Sequence, residues 1–245
     1  MIQNYPELYS ALIKNSTDFS VSESDEIHIN GSVILNHTSI NSLPDNLTVN
    51  GNLVLSHTAI ATLPDNLTVN GCLFLSHTSI SSLPDNLTVS KSFDLTNTAI
   101  SSLPDNLTVN GNLVLSHTAI ATLPDNLTVS GCLDLANSAI TTLPSNLTVN
   151  GVLNLKDTAI TTLPSNLTTG SLYLNPEIFK LPYAKNQGEE KRTIFAVKVN
   201  GIHSISAGCF LGSIEEFFKR VDKKYNKSTL GEEYKATAIR LVSEL

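Results

Sequence analysis

The chain has little charge, few cysteines and no long apolar run. Of its 245 residues, 15% are charged and 41% are hydrophobic, whereas a disordered chain combines high charge with low hydrophobicity. No apolar stretch approaches the roughly 18 residues of a membrane span, and the N-terminus lacks the basic and apolar regions of a secretory signal. The 3 cysteines cannot build a dense disulfide framework. These absences predict a folded protein of a reducing compartment that does not enter a membrane.

Positive charge is also scarce relative to negative charge. The net charge is −7, and affinity for nucleic acid comes largely from lysine and arginine bound to phosphates. We therefore predict no direct nucleic-acid partner. The sequence contains no phosphate-binding loop, zinc-binding helix, nucleophile elbow or dinucleotide fingerprint, so no cofactor is predicted.

One repeat of 20 residues dominates the chain. The string Leu-Pro-Asp-Asn-Leu-Thr-Val begins at Leu43 and returns every 20 residues, ending as Leu-Pro-Ser-Asn-Leu-Thr at Leu143 and Leu163. Seven units run without insertion over 31–169, and partial units extend the repetitive region to 27–182. One such unit cannot enclose a core, whereas stacked units bury a continuous one. The period therefore predicts a repeat solenoid with 20-residue rungs.

Apolar residues alternate at two places in each unit. Leu53 and Leu55 enclose one variable residue, and Leu47 and Val49 enclose another. Alternation with period two predicts a short strand whose apolar residues face inwards, and stacking at about 4.8 Å per rung makes successive strands parallel neighbours. The glycine that opens six of the seven units predicts a corner with positive φ or a close backbone approach.

The segment from Leu53 to Pro64, Leu-Val-Leu-Ser-His-Thr-Ala-Ile-Ala-Thr-Leu-Pro, resembles the leucine-rich-repeat core L-x-L-x-x-N-x-L-x-x-L-P, with Thr58 in the place of the asparagine. The unit length is similar to that of the short repeats of bacterial effectors. This resemblance implies a mainly β solenoid of short parallel strands that binds a protein on its strand face. Asn50 stands where the family has a leucine, so a flatter β-solenoid with two strands per rung is the alternative architecture.

Residues 1–26 are interpreted as an N-terminal helical cap. Pro6 suits the first turn of a helix, and Leu8, Leu12 and Ile13 are candidates to face the first rung. A solenoid needs such a cover because its core and strand edges are otherwise open at the end.

Residues 183–245 are interpreted as a small ββαα unit. Asn200-Gly201 between alternating apolar residues indicates a hairpin, while Ser213 with Glu216, and Thr229 with Glu232, indicate two helix starts. The repeats 31–169 hold eight acidic and two basic residues, whereas residues 170–245 hold nine acidic and twelve basic ones. This unit is expected either to cap the array or to add a second contact, including self-association.

The stretch Ile205-Ser206-Ala207-Gly208-Cys209-Phe210 resembles C-terminal tails of phage and prophage proteins. Together with the bacterial type of the repeat, this resemblance implies a cytoplasmic protein of a bacterial cell, of phage origin or delivered to a host cytosol. A rigid surface without chemistry of its own would there inhibit or modulate a host enzyme or defence complex.

Two columns of residues form the candidate partner-binding face. The variable strand position is apolar in four units and points outwards if the flanking leucines point inwards, and an exposed apolar stripe marks a partner site. Three positions later histidine recurs, in a line that cannot converge on a metal ion. Imidazoles stacked about 5 Å apart disfavour joint protonation, which would make binding sensitive to pH. The candidate residues are Ile34, Val54, Phe74, Val114, His37, His57, His77 and His117.

Two alternatives to a non-enzymatic binding protein stay open. In an effector enzyme, Cys209 would be the nucleophile, since a thiolate is favoured near a helix N-terminus, and His203 is close in sequence. In an acidic mimic of nucleic acid, a column of carboxylates would imitate phosphates, although aspartate beside proline also suits a turn. That column consists of Asp45, Asp65, Asp85, Asp105 and Asp125.

Overall fold

The computed structural model describes residues 2–14, 17–24, 26–105, 107–125, 127–187, 191–226 and 228–245. A short 3-10 helix (Ile2–Asn4) and α1 (Pro6–Lys14) precede the strands. The strands up to the end of the repeats are β1 (Phe19–Val21), β2 (Ile27–Ile29), β3 (Val33–Ile34), β4 (Leu47–Val49), β5 (Leu53–Val54), β6 (Thr68–Val69), β7 (Leu73–Phe74), β8 (Thr88–Val89), β9 (Phe93–Asp94), β10 (Leu113–Val114), β11 (Thr128–Val129), β12 (Leu133–Asp134), β13 (Thr148–Asn154) and β14 (Thr168–Tyr173). The tail consists of β15 (Tyr183–Gln187), β16 (Arg192–Val199), β17 (Ile202–Ala207), β18 (Phe210–Ser213), α2 (Ile214–Tyr225) and α3 (Thr229–Ser243).

Successive rungs pair in parallel at an offset of one repeat. One sheet has the order β1-β2-β4-β6-β8, and the other has the order β11-β13-β12-β10-β9-β7-β5-β3 with β14 beside β13. Between β13 and β14 the register shifts, and Val152 pairs with Ser171, because Gly170 opens the last, partial unit one residue earlier than the period places it. The predicted parallel β-solenoid is confirmed. Its rungs carry two short strands, as the alternative architecture proposes.

The apolar columns of the repeat fill the solenoid interior. In the second rung Leu53, Leu55 and Ile60 are fully buried, and the same columns are buried along the array. Each such side chain stabilises the fold by about 1.5–3 kcal/mol when it leaves water. The Thr58 hydroxyl donates to the Leu55 carbonyl at 2.7 Å, and this bond recurs along the column. The buried hydroxyls therefore bond to the backbone at the turn.

The corner glycines permit a close approach between rungs. A Cβ on Gly71 would lie 2.4 Å from the carbonyl oxygen of Gly51, and Gly131 and Gly151 face the same obstruction. The glycines with positive φ among the described residues are Gly201 and Gly208, so crowding explains the column and left-handed backbone does not.

The N-terminal segment covers the first rung. Helix α1 begins at Pro6 as predicted, and Leu8 and Leu12 are buried against the core. The expectation for Ile13 is wrong, because its side chain is 58% exposed on the turn of the helix that faces away. Strand β1 pairs antiparallel with β2 and covers the first edge of its sheet.

The tail contains the predicted hairpin and both helices, with two additional strands. The sheet order is β15-β16-β17-β18, and Asn200 and Gly201 have the positive φ of a tight hairpin turn. The Ser213–Glu216 capping box is present. The second helix start is corrected by one residue, because the N-cap is Ser228, whose Oγ accepts from the amide of Gly231.

Strand β16 joins the tail to the solenoid. Successive side chains of a strand point to opposite faces of the sheet. Phe195, Val197 and Val199 pack into the solenoid core, while Ile194 and Ala196 pack against the tail helices. The tail therefore docks on the last rung and closes the array.

Candidate functional site

The outward column of the larger sheet brings three of the four predicted apolar residues together. Ile34 pairs with Val54, and Val54 pairs with Phe74. The side chain of Ile34 is 57% exposed, while those of Val54 and Phe74 are half-buried. We call these three residues the N-terminal patch. Val114 lies outside it. The column continues from the patch through Asp94, Val114, Asp134, Asn154 and Tyr173.

Three imidazoles stack at the end of the same strands. The ring centroids of His37 and His57 are 4.6 Å apart, and those of His57 and His77 are 4.4 Å apart, with the ring planes within 13° and 10°. The stack ends where the Asn97 amide lies 2.8 Å from Nδ1 of His77. His117 stands apart from the stack, in the next rung after Asn97. The structure thus places His37, His57 and His77 beside the patch in the same three rungs.

Backbone conformation explains part of the histidine column. All seven residues of the column have φ between 55° and 59°, and Asn, Asp and His are the side chains most often found in the left-handed region. Asparagine or aspartate satisfies this requirement in three rungs. The turn therefore accounts for a polar column, and it leaves three consecutive imidazoles unexplained. The column members are His37, His57, His77, Asn97, His117, Asn137 and Asp157.

The stack lowers the pKa of its central member. Partial desolvation lowers the pKa of His57 below 6.5, and positive charge on His77 or His37 lowers it further. The folded protein thus disfavours the charged form of this imidazole. The pKa of His57 is lower in the folded than in the unfolded chain. The resulting contribution to the free energy of unfolding is present above the unfolded-state pKa and is lost as the pH falls through the folded-state pKa.

Removing a neighbour should raise the pKa of His57. We expect the His77→Asn substitution to move the NMR titration of the His57 ring upwards, because one like charge is removed and asparagine tolerates the left-handed backbone. His117→Asn is the matched control and should leave the titration unchanged. A titration of His57 that is the same in the wild type and in His77→Asn would contradict electrostatic coupling within the stack.

Among the described residues no three His, Cys, Asp or Glu side chains are grouped as a metal site requires. The stacked imidazoles are nearly parallel, so their ring nitrogens do not converge on one point, as tetrahedral zinc ligands must.

The aspartate column forms an exposed acidic ridge along the repeats. All five side chains are exposed, and within the described part of the chain none has an ion pair or a side-chain hydrogen bond. The side-chain hydrogen bonds by which aspartate commonly stabilises a turn are therefore not formed, and a backbone bond such as Leu87 N–H to Pro84 O closes the turn. Ser145 and Ser165 take the aspartate position in the last two rungs.

Cys209 is exposed and lies at the turn between β17 and β18. The guanidinium of Arg220 is 3.7 Å from its sulfur. His203 is at the other end of β17, about 15 Å away at the rise of a strand. The structure therefore does not bring together the Cys–His pair that nucleophilic catalysis would use.

Two hollows lie on either side of the Gly208–Cys209 turn. The first, about 520 Å³, opens between the last repeat strand and the tail sheet, and Lys156, Tyr173 and Arg192 line it. The second, about 830 Å³, is lined by Cys209, Phe210 and the basic residues Lys219, Arg220, Lys223 and Lys224 of α2. The sequence alone does not single out these cations, because they come from distant segments and follow no period. Only the excess of basic residues in the tail pointed towards them.

The sequence matches no protein-family model and no curated protein. Among the described residues, no helix has both the length and the apolar character needed to cross a membrane. Function is therefore inferred from the geometry of the chain itself.

Proposed function

We propose that this protein is a non-enzymatic binding module that holds a protein partner on its strand face and inhibits or modulates it. The observation that carries the proposal is the N-terminal patch, three apolar side chains in adjacent register, beside a stack of three imidazoles in the same rungs.

A rigid sheet is well suited to binding of this kind. The patch residues belong to strands that are hydrogen-bonded to their neighbours and anchored by buried leucines on both sides. They therefore lose little conformational entropy when a partner binds. Aromatic side chains often act as the anchors of an interface, and Phe74 is the largest member of the patch. The expected partner offers an apolar pocket for this ring.

The contact must extend beyond the patch. Ile34 and Phe74 are two rungs apart, about 10 Å, whereas a stable interface covers about 800 Å² on each partner. The neighbouring polar column, where Ser76 Oγ donates to Ser56 Oγ at 2.9 Å, and the imidazole stack supply the polar rim. A partner that contacts the imidazoles of this rim would bind with an affinity that depends on pH, because their charge changes near physiological pH.

We expect Phe74→Asp to weaken partner binding by about 30-fold or more, because it replaces the largest apolar side chain of the contact by a charge. The fold should survive, since Asp94 and Asp134 occupy the same column. Asp94 Oδ1 accepts hydrogen bonds from the amide and hydroxyl of Thr96, and Ser76 offers the same groups in the third rung.

The measurement compares cross-linked pull-downs of the wild type, Phe74→Asp and the matched control Val114→Asp by quantitative mass spectrometry. The captured protein is then purified and titrated calorimetrically against each variant. Binding lost in Phe74→Asp and retained in Val114→Asp is the expected result. Equal affinity of the wild type and Phe74→Asp, with both folded by circular dichroism, would remove the N-terminal patch from the interface.

A further inference from the structure

The tail gathers cations from three separate segments around the end of the solenoid. Lys156 comes from the last full rung, Arg192 from the start of β16, and four more from one face of α2. Arg192 lines the first hollow, and with Arg220 and Lys224 it also lines a small cavity beside the second. The six cations thus follow one path across both hollows. We call Lys156, Arg192, Lys219, Arg220, Lys223 and Lys224 the basic belt.

Among the residues that the structure describes, each hollow is lined by one acidic side chain, and both are already engaged. Glu177 at the first hollow forms an ion pair with Lys185, which lowers the pKa of Glu177. Glu216 at the second hollow accepts a hydrogen bond from the amide of Ser213 at 2.9 Å in the capping box of α2. The described residues that line the hollows carry a positive net charge, since three cations line the first with Glu177 and four line the second with Glu216.

Aromatic rings accompany the cations along the belt. The ammonium of Lys156 is 5.4 Å from the ring centroid of Tyr173, and the guanidinium of Arg220 is 5.5 Å from that of Phe210. Lys224 lies 5.2 Å from the ring of Tyr225. All three rings are half-buried. Tyr225 already stacks on Tyr234 at 5.3 Å, so Tyr173 and Phe210, which line the two hollows, are the rings available to a base.

We propose that the basic belt binds single-stranded nucleic acid. Proteins that hold single strands combine a positive groove along the phosphate backbone with aromatic rings on which the bases stack, and the belt supplies both. The bases of a duplex are stacked on one another and cannot reach such rings, so single strands are the expected ligand. This binding site lies at the opposite end of the solenoid from the N-terminal patch and is independent of the proposed protein partner.

The acidic repeats do not prevent this contact. The aspartate column ends at Asp125, and its position is serine in the last two rungs, about 10 Å of solenoid. Charges in solution are screened over about 8 Å at physiological ionic strength. The net charge of −7 averages over two regions of opposite sign, so it does not describe the surface that a strand would meet at the tail.

Fluorescence anisotropy of the full chain with labelled RNA and DNA strands of about 12 nucleotides tests the proposal. With four phosphates contacted, affinity should fall about 50-fold between about 50 and about 200 mM salt. The duplex of the same sequence should bind at least about tenfold more weakly, because its bases cannot stack on the rings.

Two variants separate the charge and stacking contributions. Lys219→Gln with Lys223→Gln should weaken binding at least about tenfold and reduce the salt slope by about 1.4. Tyr173→Leu should weaken binding about fivefold or more with an unchanged salt slope. The matched control, Lys14→Gln with Lys198→Gln, removes the same charge from exposed sites outside the belt and should bind like the wild type.

Three results would overturn the proposal. The first is no binding of either strand at the lower salt concentration. The second is equal weakening by the belt and control variants, which would indicate attraction to net charge alone. The third is duplex binding as tight as single-strand binding, with Tyr173→Leu unchanged, which would indicate a general polyanion surface. If RNA and DNA bind with different affinities, the tighter one is the preferred strand, and either preference supports the site.

Discussion

Phe93→Ala is expected to lower the free energy of unfolding by about 3–5 kcal/mol, the cost of removing a large aromatic side chain from a close-packed core. Phe93 is fully buried and is among the largest side chains of the interior. It pairs with Leu73 on one side and Leu113 on the other. Both neighbouring rungs are held by backbone hydrogen bonds, such as Phe93 N–H to Asn112 O at 2.8 Å, so the cavity cannot close by collapse.

Denaturant unfolding followed by circular dichroism measures this loss. Phe93→Leu is the matched control, because leucine occupies this column in the flanking rungs, and it should cost less than about 1.5 kcal/mol. If Phe93→Ala and Phe93→Leu lose the same stability, the ring does not fill the interior of this rung in solution.

Gly71→Val is expected to cost about 3 kcal/mol, the upper part of the usual range for overpacking. A Cβ at this corner would lie 2.4 Å from the carbonyl oxygen of Gly51 and 2.5 Å from its carbon. Both atoms belong to the backbone of the preceding rung and cannot rotate away. Relief therefore requires the two rungs to separate and their ladder of hydrogen bonds to lengthen.

Gly31→Val is the matched control for the corner. Gly31 has no rung before it, and the nearest atom to its Cβ would be the Thr17 methyl carbon at 3.1 Å. Gly31→Val should lower the free energy of unfolding by less than about 1 kcal/mol, because the Thr17 side chain can move aside whereas backbone atoms cannot. Thermal unfolding of both variants measures the difference. Equal losses would show that the intrinsic preference of glycine, and not contact between rungs, is the reason for the column.

The natural sequence offers a partial version of this test. Lys91 occupies the corner in the fourth unit, and its amide donates to the Gly71 carbonyl at 3.2 Å, whereas the glycine corners at Gly51, Gly131 and Gly151 form the same bond at 3.1, 3.0 and 2.9 Å. The hydrogen bond between rungs therefore persists with a side chain at this corner. Lysine is unbranched at Cβ, so it strains the corner less than valine would.

The repeat region was predictable because each contact in it is a repetition of the last. Once Leu53 and Leu55 are assigned inwards, the period places Leu73 and Leu75 directly beside them, and the burial of the whole column follows. The candidate columns were found in the same way. The errors in the caps arose where no period exists, at Ile13, at the N-cap Ser228 and in β15, whose sequence is polar and does not alternate.

The candidate site was only partly predictable. The period placed Phe74 and His77 on the outward side of the third rung, but it could not show how far each of these side chains is exposed. Register shows that Val114 lies between two aspartates, so it does not extend the patch. The left-handed backbone of the histidine column is signalled in the sequence only by composition, since every member is His, Asn or Asp.

By itself, the sequence determined the 20-residue period, the inward and outward faces of each strand and the stacking of like residues on like. It could do so because neighbours in a parallel array are always one unit apart. Tertiary structure alone decided how the tail meets the last rung. The two faces of β16 carry Phe195 into the solenoid and Ile194 into the tail core, and this docking brings Lys156 and Arg192 together. No local pattern encodes that contact, because its free energy comes from burying surfaces of two differently built units against each other.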